Sequence, residues 1–403
     1  MATPADAPTY FRKGFGLKTE VQADLASDYD GRLVDFLRAN DYELTAGDVT
    51  IKLAREFGFC YGVERAVEYA YQARRKFPDR RIFLVGEIIH NPHVNARLRE
   101  MGIEILMPGA EGFDFSGVRA DDVVIMPAFG VTIGDFEALR TIGCILVDTT
   151  CGSVLNVWKR VESYARDGFT ALIHGKYYHE ETRATASQVR KYPGGQYIVV
   201  RNMDEAKLVC GYIEGTVSAA TILERFRDAV SPGFDPAQHL QRIGVANQTT
   251  MLARESLAIG EEVGATIARV RGDAARAADF RTFDTICSAT QERQDAVTEL
   301  LREPLDVMVV IGGFNSSNTI SLAALCGERV PTYHIDSATG IDPDAKTVHF
   351  RRVGIHHEEA DRAGWLPDGP VRVGITAGAS TPNNKIGETV ARILATRGVV
   401  ANV

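Results

Sequence analysis

No two of the six cysteines stand in a CxxC pair, and no run of closely spaced cysteines of the ferredoxin type occurs in the 403 residues. The usual signatures of a structural zinc site and of an ordinary cluster-binding loop are therefore missing. Six cysteines in so long a chain do not make a disulfide scaffold either; in a reducing compartment such thiols are buried, catalytic or metal-bound. No stretch approaches eighteen uninterrupted apolar residues, and the opening MATPADAPTYFRKGFG lacks the apolar core of a secretion signal. Neither export nor membrane spanning is expected, and the protein reads as cytoplasmic. No basic stripe occurs: lysines and arginines are interleaved with acids at a formal charge of −8, which argues against nucleic acid or an anionic membrane as a partner. The phosphate-loop pattern GxxxxGKS/T is absent, so binding of a nucleoside triphosphate is not supported.

What is present is an alternation of short β-rich runs with amphipathic helical patterns. Strands are expected at RIFLVGEII (81–89), DVVIMPA (122–128), CILVDTT (144–150), FTALIHG (169–175), QYIVV (196–200), RIGVANQ (242–248), DVMVVIGG (306–313) and VRVGITAG (371–378). Most are nearly continuous Val/Ile/Leu runs, as strands covered by helices on both faces should be. Helical patterns follow several of them, including GVERAVEYAYQARRKF, SVLNVWKRVESYARDG, MLARESLAIGEEVGATIARV and ATQERQDAVTELLRE. The fold class is α/β with mostly parallel sheets, in which ligands gather where strand C-termini meet helix N-termini. The first fifty residues read as polar and irregular, and SPGFDPAQ (231–238) reads as a connection.

The cysteines separate into two groups on this map. Cys144 opens an apolar strand, and Cys210 and Cys326 sit in the helical contexts AKLVCGY and AALCGE, where a packing role is expected. Cys60, Cys151 and Cys287 each fall at a strand-to-helix switch, in REFGFC/YGVERAV, LVDTTC/GSVLNVW and TFDTIC/SATQERQ. A helix N-terminus favours the thiolate, the form that binds metal or attacks an electrophile. Three such turns far apart in sequence suggest three similar α/β units that each present one thiolate to a shared centre. Soft thiolates suit zinc or an iron–sulfur cluster, and a four-iron cluster held by three cysteines leaves one iron for substrate. Three unrelated buried thiols would read the same way on position alone.

Polar groups collect at other strand ends. His90 and His93 lie in EIIHNPHVN, and His174, His179, Glu180 and Glu181 lie in HGKYYHEETRAT. Gln248, Thr249 and Thr250 lie in ANQTT. GGFNSSNT offers Asn315, Ser316, Ser317 and Asn318 at a helix start, and TAGASTP offers Ser380. Small hydroxyl and amide residues at a helix start let donors approach phosphate oxygens closely, although each taken alone is an ordinary helix cap.

In order, FGFCYGVERAV, EIIHN, DTTC, HGKYYHEET, QTT, CSATQERQ, NSSN and TAGAS resemble the motif series of the 4-hydroxy-3-methylbut-2-enyl diphosphate reductase (LytB) family, from about residue 10 to the C-terminus. The N-terminal segment, PAFGV and HGKYYHEET resemble its plant and cyanobacterial branch. The resemblance implies three α/β units in pseudo-threefold arrangement around a 4Fe–4S cluster held by Cys60, Cys151 and Cys287. On this reading 1–50 is an N-terminal extension, 51–147 the first unit with Cys60, 148–284 the second with Cys151, and 285–403 the third with Cys287, its C-terminal segment able to pack back on the first. It implies reductive removal of the hydroxyl of a prenyl diphosphate substrate, giving isopentenyl and dimethylallyl diphosphate, with a ferredoxin or flavodoxin as electron donor. Residues matching the family's diphosphate contacts are His90, His179, Ser316, Ser317, Asn318 and Ser380. Glu181 matches its proton-delivering acid, with Thr249 in the relay and Gln248 and Thr250 nearby on the substrate side. One departure stands out: Phe129 occupies the place of a histidine found in many bacterial members. Two other readings share the three cysteine turns, a three-cysteine cluster enzyme resembling quinolinate synthase and a non-enzymatic iron–sulfur carrier.

Overall fold

The computed structural model of the chain describes residues 9–109, 112–283, 285–354 and 358–400. These fall into two compact units: one takes the chain up to Tyr10 with Leu106–Cys287, the other Phe11–Ile105 with Ser288 to the C-terminus. Each is an α/β assembly with its own core. Cys60 belongs to the second, whereas Cys151 and Cys287 belong to the first.

The Cys60 unit is built on one large sheet. Its centre is parallel, with Thr332–Ile335, Val307–Ile311, Val371–Ala377 and Val49–Leu53 side by side. Antiparallel strands flank them: Thr347–Arg351 pairs with Thr332–Ile335, and Glu43–Ala46 pairs with Val49–Leu53. Every residue of Val307–Ile311 is buried, as a strand covered on both faces must be. Insertion of Val371–Ala377 beside Val49–Leu53 places the chain after the last central strand next to the chain leading into Cys60. Helix Asn383–Ala395 turns Ile386, Val390, Ile393 and Leu394 inward, where they share one core with Leu33, Val34 and Leu37.

The Cys151/Cys287 unit holds a four-stranded, wholly parallel sheet in the order Phe280–Thr282, Ile243–Asn247, Thr170–His174, Tyr197–Val200. Val123–Met126 and Ile145–Asp148 form a further parallel pair. The helix Ala253–Arg271 buries Ile259, Val263 and Ile267, spaced four residues apart along the face that covers the sheet core. The parallel register sets Asn247 opposite His174, so the segments leaving these two strands emerge together.

All eight strands expected from the apolar runs are present, each one to five residues shorter than its run, with residues trimmed from one or both ends. The first fifty residues differ from expectation. Helices Lys18–Tyr29 and Arg32–Ala39 and the strand Glu43–Ala46 occupy them. The first helix buries only Val21 and Tyr29, too thin a stripe to register as periodic. The second is only two turns long, yet Val34 and Leu37 are fully buried, worth about 2 kcal/mol each. Among the described residues no helix is long and apolar enough to cross a membrane.

Candidate active site

In the Cys151/Cys287 unit the parallel register brings the HGKYYHEE and NQTT segments side by side. Gln248 N–H donates to the His174 carbonyl (2.8 Å), which starts both loops at one point. The Gln248 amide then holds them: its Oε1 accepts from Lys176 N–H (3.1 Å) and from the Thr182 hydroxyl (3.1 Å), and its Nε2 donates to Thr250 Oγ1 (2.9 Å). Both ends of this side chain are engaged by protein. Helix Glu180–Ser187 begins here with His179 as its cap, the ring Nδ1 accepting from Glu181 N–H at 3.1 Å. A ring nitrogen that accepts carries no proton, so the neutral imidazole bears its hydrogen on Nε2.

Glu181 lies within the first turn of that helix and is 3% exposed. Its carboxylate meets Thr249 twice: Thr249 N–H donates to Oε1 (2.6 Å) and Thr249 Oγ1 to Oε2 (3.0 Å). The Thr249 carbonyl in turn accepts the Cys287 N–H (3.3 Å), so the acid and the Cys287 turn share one residue. The strand Ile145–Asp148 ends in a turn fixed by Asp148, whose Oδ1 accepts from Thr150 N–H (2.9 Å) and Oγ1 (2.5 Å) and whose Oδ2 accepts from Tyr10 (2.5 Å). Cys151 follows as the cap of helix Gly152–Arg166, its N–H bound to the Ala128 carbonyl (2.8 Å). The residue after Ala128, Phe129, sets its ring edge-on to His179 with centroids 6.2 Å apart. An apolar ring thus supports His179.

In the Cys60 unit three loops converge on Ala379. Its carbonyl accepts the Cys60 N–H (3.2 Å), its N–H donates to Asn318 Oδ1 (2.9 Å), and the residue after it is Ser380. Cys60 caps helix Tyr61–Lys76. Asn318 Oδ1 being taken, its Nδ2 remains as a buried donor without a hydrogen-bond partner among the described residues. Ser316 caps helix Ser317–Gly327, and Ser316, Ser317 and Asn318 are each 3% exposed. Just before them, Asn315 reaches the EIIH loop: its Nδ2 donates to Glu87 Oε2 (2.9 Å), which also pairs with His90 Nδ1 (2.9 Å). Burial works to raise the Glu87 carboxyl, but the contacts with His90 and Asn315 outweigh it and leave the group below its ordinary range. The chain backs this contact closely, since a Cβ on Gly313 would lie 2.4 Å from the His90 carbonyl.

Chemistry separates the cysteines as their positions do. Burial pushes the Cys144 thiol up to about 11 and raises Cys210 and Cys326 as well, which makes them packing groups. Cys60, Cys151 and Cys287 are half-buried, each at a helix start. Each of the three is a soft donor of the kind that ligates iron in an iron–sulfur cluster.

Sequence reading singled out Cys60, His90, Ser316, Ser317, Asn318 and Ser380, which the structure gathers around two contacts of one unit. It also singled out Cys151, His179, Glu181, Gln248, Thr249, Thr250 and Cys287, which are gathered around two contacts of the other. The rings of His93 and His174 stand apart from these contacts: that of His174 is fully buried with Nδ1 against Ser256 Oγ (2.8 Å), and burial lowers both rings. Glu87 was missed, although its place three residues before His90 at a strand end was a usable signal.

The LytB protein family model matches residues 51–394. A relative from Thermosynechococcus vestitus named 4-hydroxy-3-methylbut-2-enyl diphosphate reductase is 48% identical over 392 residues, 97% of this chain and 95% of its own length. One of the same name from Gloeobacter violaceus is 48% identical over 396 residues, 97% of this chain and 93% of its own. A solved structure of (E)-4-hydroxy-3-methyl-but-2-enyl diphosphate reductase, the terminal enzyme of the non-mevalonate pathway, is 29% identical and covers 85% of this chain and 98% of its own, with a TM-score of 0.51. The reductase from Plasmodium falciparum, at 20% identity and a TM-score of 0.63 over 85% of this chain and 87% of its own, shares the fold. The chain belongs to the LytB protein family.

Proposed function

We propose that the protein reduces (E)-4-hydroxy-3-methylbut-2-enyl diphosphate to isopentenyl and dimethylallyl diphosphate, the last step of the non-mevalonate isoprenoid pathway. The reaction breaks one C–O bond, forms one C–H bond, consumes two electrons and two protons, and releases water. The observation that carries the reading is the pairing of Glu181 with Thr249, whose carbonyl holds the Cys287 turn. A buried acid one residue from a thiolate turn suits protonation of a leaving hydroxyl beside a redox centre.

Cys60, Cys151 and Cys287 are the residues that would hold a 4Fe–4S cluster. When bound, such a cluster supplies single electrons and a Lewis-acidic iron toward the substrate hydroxyl. The chain's own residues do the rest. Glu181 Oε2 delivers a proton to the departing oxygen, so that water rather than hydroxide leaves; Thr249 Oγ1, 3.0 Å away, relays a replacement from solvent by taking one proton as it gives up its own, and the proton of the new C–H bond comes from the substrate diphosphate. His179, with its hydrogen on Nε2, and His90, oriented by Glu87, are donors for diphosphate oxygens. Asn318 Nδ2, Ser316, Ser317 and Ser380 add neutral donors. Gln248 orients the Glu181 loop through three hydrogen bonds and contributes to substrate binding by position. A ferredoxin or flavodoxin is the electron donor in this reading, and the site of action is the cytoplasm.

The test is an anaerobic assay of the purified protein with this substrate and reduced viologen, with products identified by mass spectrometry. Formation of the two five-carbon diphosphates supports the reading. A cluster-loaded protein that leaves the substrate unchanged refutes it.

A further inference from the structure

Arg293 is 3% exposed, and every hydrogen bond of its guanidinium goes to a main-chain carbonyl. Nε and Nη2 donate to Gly58 O (3.3 and 2.7 Å), Nη2 also to Phe59 O (3.2 Å), and Nη1 to Ala289 O (2.8 Å). Among the described residues no carboxylate pairs with it. The contrast is Glu205, 5% exposed, whose Oε1 takes Arg201 and Arg225 at 2.7 Å each. A buried charge without an opposite partner is strongly disfavoured, and carbonyl dipoles offset only part of that. Something else should balance Arg293.

Its placement indicates what. Gly58 and Phe59 are the two residues before Cys60, and the helix carrying Arg293, Ser288–Leu300, starts one residue after Cys287. The Cys60 loop is tied along both rims: Gly58 and Cys60 give their N–H groups to Ala377 O (3.3 Å) and Ala379 O (3.2 Å), and its outward carbonyls go to Arg293. Gly58 makes this course possible, with φ of +71° and a would-be Cβ 3.1 Å from Thr381 O. The buried stripe of the helix runs through Thr290, Gln294, Val297 and Leu300, and Arg293 stands on it as a buried cation.

We propose that Arg293 is a positioning and charge-compensating residue for the redox centre: it clamps the loop that presents Cys60 and supplies the positive charge that balances an anionic cluster–thiolate assembly. The inference rests on Cys60, Cys151 and Cys287 holding a cluster. A cluster held by thiolates gains negative charge with each electron, so a buried cation behind one ligand turn stabilises the reduced form and raises the potential.

The experiment compares wild type with Arg293→Lys, which keeps charge but not the fork, and Arg293→Gln, which keeps a donor but not charge. Iron and sulfide per chain and the midpoint potential, from an EPR-monitored titration without substrate, are measured on anaerobically prepared protein. The expected result is a lower potential in Arg293→Gln, roughly tenfold in the one-electron reduction constant or about 59 mV, with most of the shift recovered in Arg293→Lys. Loss of iron from the Gln protein alone also supports the charge role. A Gln protein with wild-type potential, equal shifts in both variants, or iron lost from the Lys protein or from both would overturn it, leaving at most a clamp. Wild-type protein without iron would instead refute the cluster reading itself.

Discussion

Glu181 and Thr249 meet through both carboxylate oxygens, at 2.6 Å from the backbone N–H and 3.0 Å from the hydroxyl, with Glu181 3% exposed. A single residue therefore fixes the orientation of the acid and offers it a proton path. Glu181→Gln keeps the shape but removes the transferable proton. Turnover should fall by about 10²–10⁴-fold while the visible absorption of the cluster is retained; full turnover would remove Glu181 from the role. Thr249→Val spares the backbone contact, so its turnover should lie between wild type and Glu181→Gln.

Gln248 tests whether the two loops need their shared anchor. Gln248→Ala deletes three hydrogen bonds and should lower stability by about 2–3 kcal/mol, measured by chemical denaturation. Turnover should fall with it, because Lys176 and Thr182 flank the segment carrying His179 and Glu181. Unchanged stability would show that the anchor is dispensable.

Gly313 tests the histidine side of the site. Its missing side chain leaves room for the His90 carbonyl, which a Cβ would approach to 2.4 Å. Gly313→Ala should push the His90 loop away from Asn315 and raise the substrate KM roughly tenfold or more, the equivalent of one lost charge-assisted contact. Iron content should stay at the wild-type value. A KM within twofold of wild type would contradict His90 as a substrate contact.

Two histidines set an acid limit on folding. Burial lowers His174 to about 4, and burial with help from Arg351 lowers His334 to about 4, although a hydrogen bond with the Gly312 carbonyl opposes it. The unfolded chain binds protons on these rings below about 6.5, the folded chain only near 4. Their contribution is therefore complete above the unfolded value and is lost as pH falls through the window down to about 4, by roughly 3 kcal/mol for each ring at most. Denaturation midpoints measured across that window should decline toward acid, with a shallower decline in His334→Gln.

Much of this architecture is legible in the letters because buried parallel strands advertise themselves. Val307–Ile311 and Ile243–Asn247 are runs with no exposed face, and the helix start after the largely buried Ile145–Asp148 marks Cys151, whereas Cys60 and Cys287 follow the partly exposed strands Val49–Leu53 and Phe280–Thr282. Less legible is anything that depends on distant segments meeting. The placement of Val371–Ala377 beside Val49–Leu53, which makes Ala379 the meeting point of Cys60 and Asn318, has no local signal. Phe129 showed in the sequence as a departure, but only packing gives it a task against His179. Arg293 left a trace, a cation on the inward stripe of its helix, which periodicity alone would count as a flaw in the pattern.

Cys60, Cys151 and Cys287 are proposed to hold one cluster with an iron open to substrate. Mössbauer spectra of anaerobically purified, iron-57-labelled protein, recorded with and without the hydroxylated prenyl diphosphate, test it most directly. The expected result is a four-iron spectrum in which the substrate moves the signal of one iron and leaves the other three in place, and loss of that spectrum when any of the three cysteines is changed to Ser. A spectrum indifferent to substrate, or one that survives removal of a cysteine from this set, would contradict it.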